Sequence, residues 1–389
     1  MTHSITRRLL LASTVALGGA ISATALSAET IKVGFITALS GPIASQGIPT
    51  AKGIAAGQHA FPTAGGHNIE VIQLDDASDP SQSIRNGRKL IESDNVDVLV
   101  GTSGVPGAMA LASLSREAQV PYISYTPLFL SGKDAEWAVT TAQPADLMLN
   151  AVVDDMANAG IKSVGYIGFS DSWGDLAFGM LNAAAEKNGM EIISDERYAR
   201  SDTSVTGQVL RIVSGAPEAV IGGTAGTPGA LPYLALSDRG FTGAIYGTHG
   251  IINPDFVRVA GPAANGLRAP TGPIVVAEQL PDSHPSKAVA QTFKDAYRAV
   301  YGEDDEPDAF SAYAFDVWRI IADAAERVPA DIEPGTPDFR TALRDAIFAT
   351  NELPVTHGVL NFTEGSPYGA DTRSVVMVEL QDGKWMLRE

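Results

Sequence analysis

Thr102-Ser103-Gly104-Val105-Pro106-Gly107-Ala108-Met109 decides how this chain folds. It follows the apolar run Val98-Leu99-Val100-Gly101 and returns later as Thr224-Ala225-Gly226-Thr227-Pro228-Gly229-Ala230-Leu231, behind Val220-Ile221-Gly222-Gly223. Each copy predicts a buried strand, a glycine-rich bend and a helix start. Glycine lets the backbone turn sharply and approach another molecule closely. Proline suits the first helical turn, where its missing N–H costs nothing. Such a bend aims free N–H groups and the positive end of a helix dipole at one point, which suits an anion. A second echo, Val33-Gly34-Phe35-Ile36 and Val164-Gly165-Tyr166-Ile167, keeps the same order. Two echoes in register predict two α/β lobes of like design whose strand-end loops face each other.

Working outward, strands are expected at Ile31–Thr37, Ile69–Leu74, Val96–Val100 and Pro121–Ser124, with helices between them. Helix, strand and helix then recur from Ala145 through Ala244–Tyr246. This β-α-β rhythm predicts parallel sheets covered on both faces. Ala269-Pro270-Thr271-Gly272-Pro273 reads as a linker. Helices follow near Ser286–Tyr301 and Ala309–Arg327, and Gly358–Phe362 with Ser374–Leu380 reads as an antiparallel pair.

The 389 residues suffice for two domains, and a 45% hydrophobic fraction supplies two cores. The absence of cysteine rules out disulfides and thiolate metal sites. Residues 1–28 have the composition of an export signal: Arg7 and Arg8, an apolar run to Leu26, then small residues with cleavage after Ala28. Thr6-Arg7-Arg8-Leu9 is compatible with either a general or a twin-arginine route. Removing those two arginines takes the formal charge from −18 to −20, which argues against nucleic acid and anionic membranes as partners.

Catalytic motifs are missing. Gly101-Thr102-Ser103-Gly104-Val105 lacks the last glycine of a nucleophile elbow. No dinucleotide or phosphate-loop spacing occurs, and the six histidines form no metal-ligand pair. No cofactor is expected. Asp75-Asp76 fits a solvated turn better than a catalytic pair. A cleft remains. Residues just past strand ends are its candidate walls: Ser40, Gln46, Thr102, Ser103, Gly104, Val105, Tyr125 and Thr126 from the first lobe, with Asp171, Trp173, Thr224, Ala225, Gly226 and His249 from the second.

These residues carry a resemblance. Leu39-Ser40-Gly41-Pro42, Gly101-Thr102-Ser103, Trp173-Gly174, the segment at Gly222 and Asp382-Gly383-Lys384 together resemble the branched-chain amino acid-binding family of periplasmic solute-binding proteins, which serve ABC importers. The resemblance implies a type I periplasmic binding protein fold: two Rossmann-like lobes joined by a three-crossover hinge. It places residues 29–145 and 272–355 in lobe one and residues 146–271 and 356–389 in lobe two. It also implies a periplasmic monomer that closes on its ligand and hands it to a membrane permease. The amino acid binders of that family carry an early disulfide, which this chain lacks. They hold the ligand ammonium with an acid where this chain has His249, and an aromatic residue where it has Ala225 or Gly226. Tyr246-Gly247-Thr248-His249-Gly250 and the segment 277–285 resemble the aromatic-acid branch. Burying an ammonium without a carboxylate would cost several kcal/mol. A small carboxylate without an α-amine, benzoate-like or hydroxycinnamate-like, is therefore the expected ligand. Branched-chain amino acids or another short-chain acid or amide as ligand, a periplasmic ligand sensor and an exported α/β enzyme are the alternatives.

Overall fold

The computed structural model of the protein describes residue 1 and residues 30–388. The expected export signal lies, save for its first residue, outside them. Strand β1 (Thr30–Thr37) leads to helix α1 (Ala44–Ala60), β2 (Thr63–Ala64), β3 (His67–Asp75), α2 (Pro80–Arg88), β4 (Val98–Val100), α3 (Val105–Ala118), β5 (Tyr122–Ser124) and β6 (Ala138–Thr140). Then α4 (Ala145–Asn158), β7 (Ser163–Phe169), α5 (Ser172–Lys187), β8 (Glu191–Tyr198), α6 (Thr206–Ser214) and β9 (Ala219–Gly223) restart the pattern. It continues through α7 (Leu231–Asp238), β10 (Ala244–Gly247), α8 (Pro254–Ala260) and β11 (Arg268–Thr271). The chain ends with α9 (Ser286–Tyr301), α10 (Ala309–Ala325), α11 (Pro337–Phe348), β12 (Leu353–Val355), β13 (Gly358–Leu360), β14 (Val376–Gln381) and β15 (Lys384–Leu387).

Two sheets result. The first runs β2-β3-β1-β4-β5-β6 and the second β8-β7-β9-β10-β11-β14-β15. Without their antiparallel flanking strands, both have one order: second strand, first, third, fourth, fifth. The repeat seen in the bends is thus a repeat of topology. Strand alternation fills both faces of each sheet. Val33, Phe35, Val98 and Val100 pack against Trp318 and Phe339, while Ile36 and Leu99 face Leu90 and Leu111. Ile167 and Val220 point one way in the second sheet, Tyr166 and Ile221 the other.

Helices from late in the chain cover the first sheet. α1 and α10 cross closely because α1 presents glycines at the contact: a Cβ on Gly53 would meet the Ser311 carbonyl oxygen at 1.9 Å. That approach brings the start of α10 beneath the strand ends of both sheets.

Two expectations fail. The supposed linker is strand β11, whose partner on the far side is β14 running antiparallel. Pro270 is tolerated there because only one residue pair, Tyr246 with Arg268, links β11 to β10. The expected antiparallel pair near the C-terminus does not form either: β13 pairs with β12, and β14 with β11 and β15. Short apolar runs specify a strand but not its partner.

Candidate functional site

Both glycine bends reach the seam between the sheets, and they differ. The first behaves as expected: Gly104 is extended at the N-cap of α3, and no side chain caps the helix. Thr102 is fixed from behind, its hydroxyl donating to the buried Asp76 carboxylate, which also takes the Ser83 hydroxyl at 2.7 Å and the Ser78 amide at 3.0 Å. So Asp76 is a buried tie rather than a solvated turn. The second bend opens into a 3-10 turn, Thr227–Ala230, before α7 begins. Gly226 takes a left-handed φ of 60°, and its amide donates to Gly250 O at 2.8 Å while Thr227 N donates to Ser45 Oγ at 3.2 Å. Those amides are spent on structure and cannot cradle an anion.

Between the bends lies a cavity leaving about 40 Å³ for the centre of a water-sized sphere. One water needs about 10–15 Å³ on that measure, so the space suits a compact molecule. Of the expected residues, Gln46, Ser103, Val105, Tyr125, Thr126, Trp173, Ala225 and His249 line it. Six stand elsewhere. Ser40 is exposed and its hydroxyl donates to Asp75 Oδ2 at 2.7 Å. Thr102, Gly104 and Asp171 face an adjoining cleft of about 350 Å³. Asp171 caps α5, accepting from Trp173 N at 3.0 Å and Gly174 N at 3.2 Å. Thr224 lies behind the wall, its carbonyl taken by the Thr248 hydroxyl at 2.6 Å, and Gly226 faces Ser45 and Gln46.

Sequence reasoning missed Arg200, Phe310 and Tyr313, which complete the wall with Pro127 and Gly250. Arg200 follows β8, a strand end left off the candidate list. Its Nε donates to Asp171 Oδ2 at 2.6 Å, and its guanidinium lies 4.0 Å above the Phe169 ring. Nothing within the described chain holds its two terminal nitrogens. Phe310 and Tyr313 come from α10, one turn apart; their spacing signals a buried face, but which cavity that face borders depends on the glycine contact with α1.

Several lining polar groups are already committed. The Tyr125 hydroxyl donates to Ile36 O at 3.1 Å, and burial pushes its pKa up to about 12. Thr126 Oγ1 donates to Thr102 O. Gln46 Nε2 donates across the seam to Gly250 O at 3.0 Å. Two groups are not committed: Trp173 Nε1 and His249 Nδ1 are shut from solvent without a partner. Their rings meet edge to face, 5.4 Å between centroids. Burial, helped by the nearby His357, lowers the His249 pKa to about 4, so the ring is neutral at ordinary pH. The cavity therefore has aromatic walls, one cation at its edge, an unspent indole N–H, an unspent imidazole nitrogen and no acid in its lining.

Residues 30–383 match the sequence profile of a family described as periplasmic binding protein. The chain belongs to that family. Its relatives include Leu/Ile/Val-binding protein homolog 3 of Brucella melitensis, 24% identical, with 92% of this chain and 93% of that protein covered. An extracellular ligand-binding receptor from Rhodopseudomonas palustris HaA2 superposes with a TM-score of 0.89 at 36% identity, covering 92% of this chain and all of that one. An R. palustris solute-binding protein of an ABC transporter, solved with benzoate, has the same fold: TM-score 0.77, 21% identity, 92% and 95% covered. The fold is thus the type I periplasmic binding protein fold, and the chain is a transport protein of the Leu/Ile/Val-binding type. Members of this family bind small molecules and work with ABC transporters, and the family name places them in the periplasm.

Proposed function

We propose that this protein captures a small aromatic carboxylate between its lobes and delivers it unaltered to the permease of an ABC importer. The observation that carries the reading is the charge of the cavity lining: Arg200 is its one charged residue, with terminal N–H groups unspent, and no acidic residue is part of the lining to hold an ammonium; the neighbouring Asp171 carboxylate is already paired with Arg200. The carboxylate binds Arg200, for which the planar guanidinium is well matched. The ring lies among Trp173, Phe310 and Tyr313, and the neutral His249 and the Trp173 indole N–H serve further acceptors on the ligand. No step of bond making is involved; the ligand leaves as it came.

The lobe division is part of the proposal. Residues 29–145 and 272–368 form lobe one, and 146–271 with the residues after Tyr368 form lobe two. The last crossing is placed after Tyr368, beyond the residue 355 first expected, because Leu353, Val355, Leu360 and Phe362 share a core with Phe35 and Trp318. Closure follows from a ligand touching both lobes, which favours the closed state. The protein is exported with cleavage after Ala28 and acts as a monomer.

A second reading, a binding protein for branched-chain amino acids, is favoured by the name of the Brucella relative. Titration calorimetry with benzoate, 4-hydroxycinnamate, leucine and isoleucine separates the two. Tight binding of leucine with none of either aromatic acid would overturn the proposal.

A further inference from the structure

The chain passes between the two sheets three times, and the three passes meet at one side chain. The first, residues 141–144, leaves β6 of the first sheet for α4, which packs in a core of the second. The second leaves β11 at Gly272 for α9 and α10, and α10 packs in the core of the first sheet. The third, residues 369–375, follows Tyr368, which bridges to Thr140 of β6, and enters β14. Gln143 stands on the first pass and is fully buried. Its Nε2 donates to Ser374 O on the third pass at 2.9 Å. The same nitrogen lies against the second pass, since a Cβ on Gly272 would meet it at 2.9 Å.

The other end of the Gln143 amide connects to the ligand cavity. Its Oε1 accepts the Tyr313 hydroxyl, and Tyr313 is a wall of that cavity whereas Gln143 is not. Tyr313 is held in two further ways. Its carbonyl accepts the Thr141 hydroxyl at 3.2 Å, again from the first pass. Its ring stacks flat on His357, with 3.6 Å between centroids and 8° between planes. His357 is fixed in turn by Asp316, one turn along α10 from Tyr313. Asp316 Oδ2 lies 3.1 Å from His357 Nδ1, and the carboxylate accepts the Thr356 amide at 2.7 Å and hydroxyl at 2.8 Å. Gly272 packs so close to the imidazole that a Cβ there would lie 2.2 Å from His357 Cδ2. Tyr313, Gln143, Asp316, Thr356 and His357 are all buried.

A rotation of one sheet against the other is absorbed by torsions in the passes, so it moves Ser374 and Gly272 relative to Gln143. Hydrogen bonds buried there in one arrangement are lengthened or broken in the other, and a buried polar group without its partner is costly. The structure shows the arrangement with the seam shut, for Gln46 Nε2 and Thr227 N both donate across it. We propose that the chain of hydrogen bonds Tyr313–Gln143–Ser374 couples the ligand cavity to the crossings and holds the shut arrangement, which makes Gln143 a positioning residue that acts on the ligand through Tyr313. The inference rests on the reading that the lobes close on a ligand, and not on the chemistry of that ligand.

The test exploits the absence of native cysteine. Spin labels at Glu117→Cys on α3 and Ala183→Cys on α5, both exposed positions, report the distance between the two halves in the full mature protein. Double electron–electron resonance is recorded without ligand and in titrations with benzoate and with leucine. Tyr313→Phe keeps the stacked ring and the cavity wall but loses the donated proton. Gln143→Met keeps the bulk but loses both bonds. Each is expected to raise the closing concentration of whichever compound closes the wild type by about fivefold or more, the equivalent of one net hydrogen bond, and to shrink any closed population present without ligand. In the Gln143→Met background, Tyr313→Phe costs nothing further, because the hydroxyl acts through the amide already lost. A lower Tm in both variants with unaltered distances and closing concentrations would make the network packing alone and overturn the coupling; additive effects in the double variant would do the same. A wild type that neither compound closes, with distances the variants leave unchanged, overturns it as well. Closure by leucine and not by benzoate refutes the aromatic-acid reading and leaves the coupling standing.

Discussion

Replacing Arg200 by glutamine tests the central chemistry most directly. Its side chain has three attachments: the 2.6 Å bond to Asp171, the stack 4.0 Å above Phe169, and the edge of the ligand cavity. The first two set the cost to the fold. The ion pair is partly exposed, with side-chain exposures of 17% and 24%, and such pairs contribute about 1 kcal/mol or less; the cation–π contact adds about 0.5–1 kcal/mol. Asp171 keeps its α5 capping bonds, so a Tm loss of a few degrees is expected. The third attachment sets the cost to binding. A hydrogen bond to a charged group contributes about 1.5–3 kcal/mol, which is roughly 10- to 150-fold in Kd. Calorimetry with benzoate and benzamide, against wild type, Arg200→Gln and Arg200→Lys, isolates it. Arg200→Gln should weaken benzoate by that factor and benzamide scarcely at all. Arg200→Lys should fall between, because an ammonium keeps the charge but not the planar fork. Equal losses for acid and amide, or no loss for either, would refute the assignment of the carboxylate to Arg200.

Three further outcomes follow from the same geometry. Trp173→Phe keeps most of the ring packing but removes the N–H, so affinity for hydroxylated aromatic acids should fall by about 1 kcal/mol with Tm little changed; Trp173→Ala should cost the apo fold about 3–5 kcal/mol, because the ring belongs to the second core. Gln46→Ala removes the bond to Gly250 O across the seam, which should weaken every ligand by about 1 kcal/mol irrespective of its chemistry and enlarge the radius of gyration measured by X-ray scattering. For His249 the folded pKa is about 4 against an ordinary 6.5: between those values the unfolded chain takes up a proton that the folded one refuses. Stability should therefore fall as pH drops through that window, by on the order of 3 kcal/mol in all. The difference between wild type and His249→Gln in urea melts isolates this contribution, and parallel pH profiles would show that the ring titrates normally.

Much of the fold was legible because it repeats. Val98-Leu99-Val100 and Val220-Ile221-Gly222, each followed by a glycine-proline bend, mark corresponding strands of two sheets with one strand order. Both ends of α9, Ser286 and Tyr301, were legible, whereas the Asn253 cap of the short helix α8 was passed over. Pairing at the C-terminus was not: Ser374–Leu380 has the pattern of a strand, but its neighbour β11 lies a hundred residues upstream, behind a proline that reads as a break. At the site, residues directly after strands such as Ser103, Tyr125 and His249 were found by position alone. Phe310 and Tyr313 were not, because a helix residue reaches the cavity only through the crossing at Gly53. Arg200 was passed over although it too follows a strand, since its loop has no glycine signature. The two bends look alike as sequences yet differ in use, because Ser45 and Gly250 have already claimed the amides of the second.

The place of β14 has a consequence for assembly. The second sheet is completed by Val376–Gln381 and Lys384–Leu387, far along the chain from β11. Until that long-range pairing forms, β11 keeps an unpaired edge. Contacts so distant in sequence must first close a long loop, so these strands join the sheet late in folding.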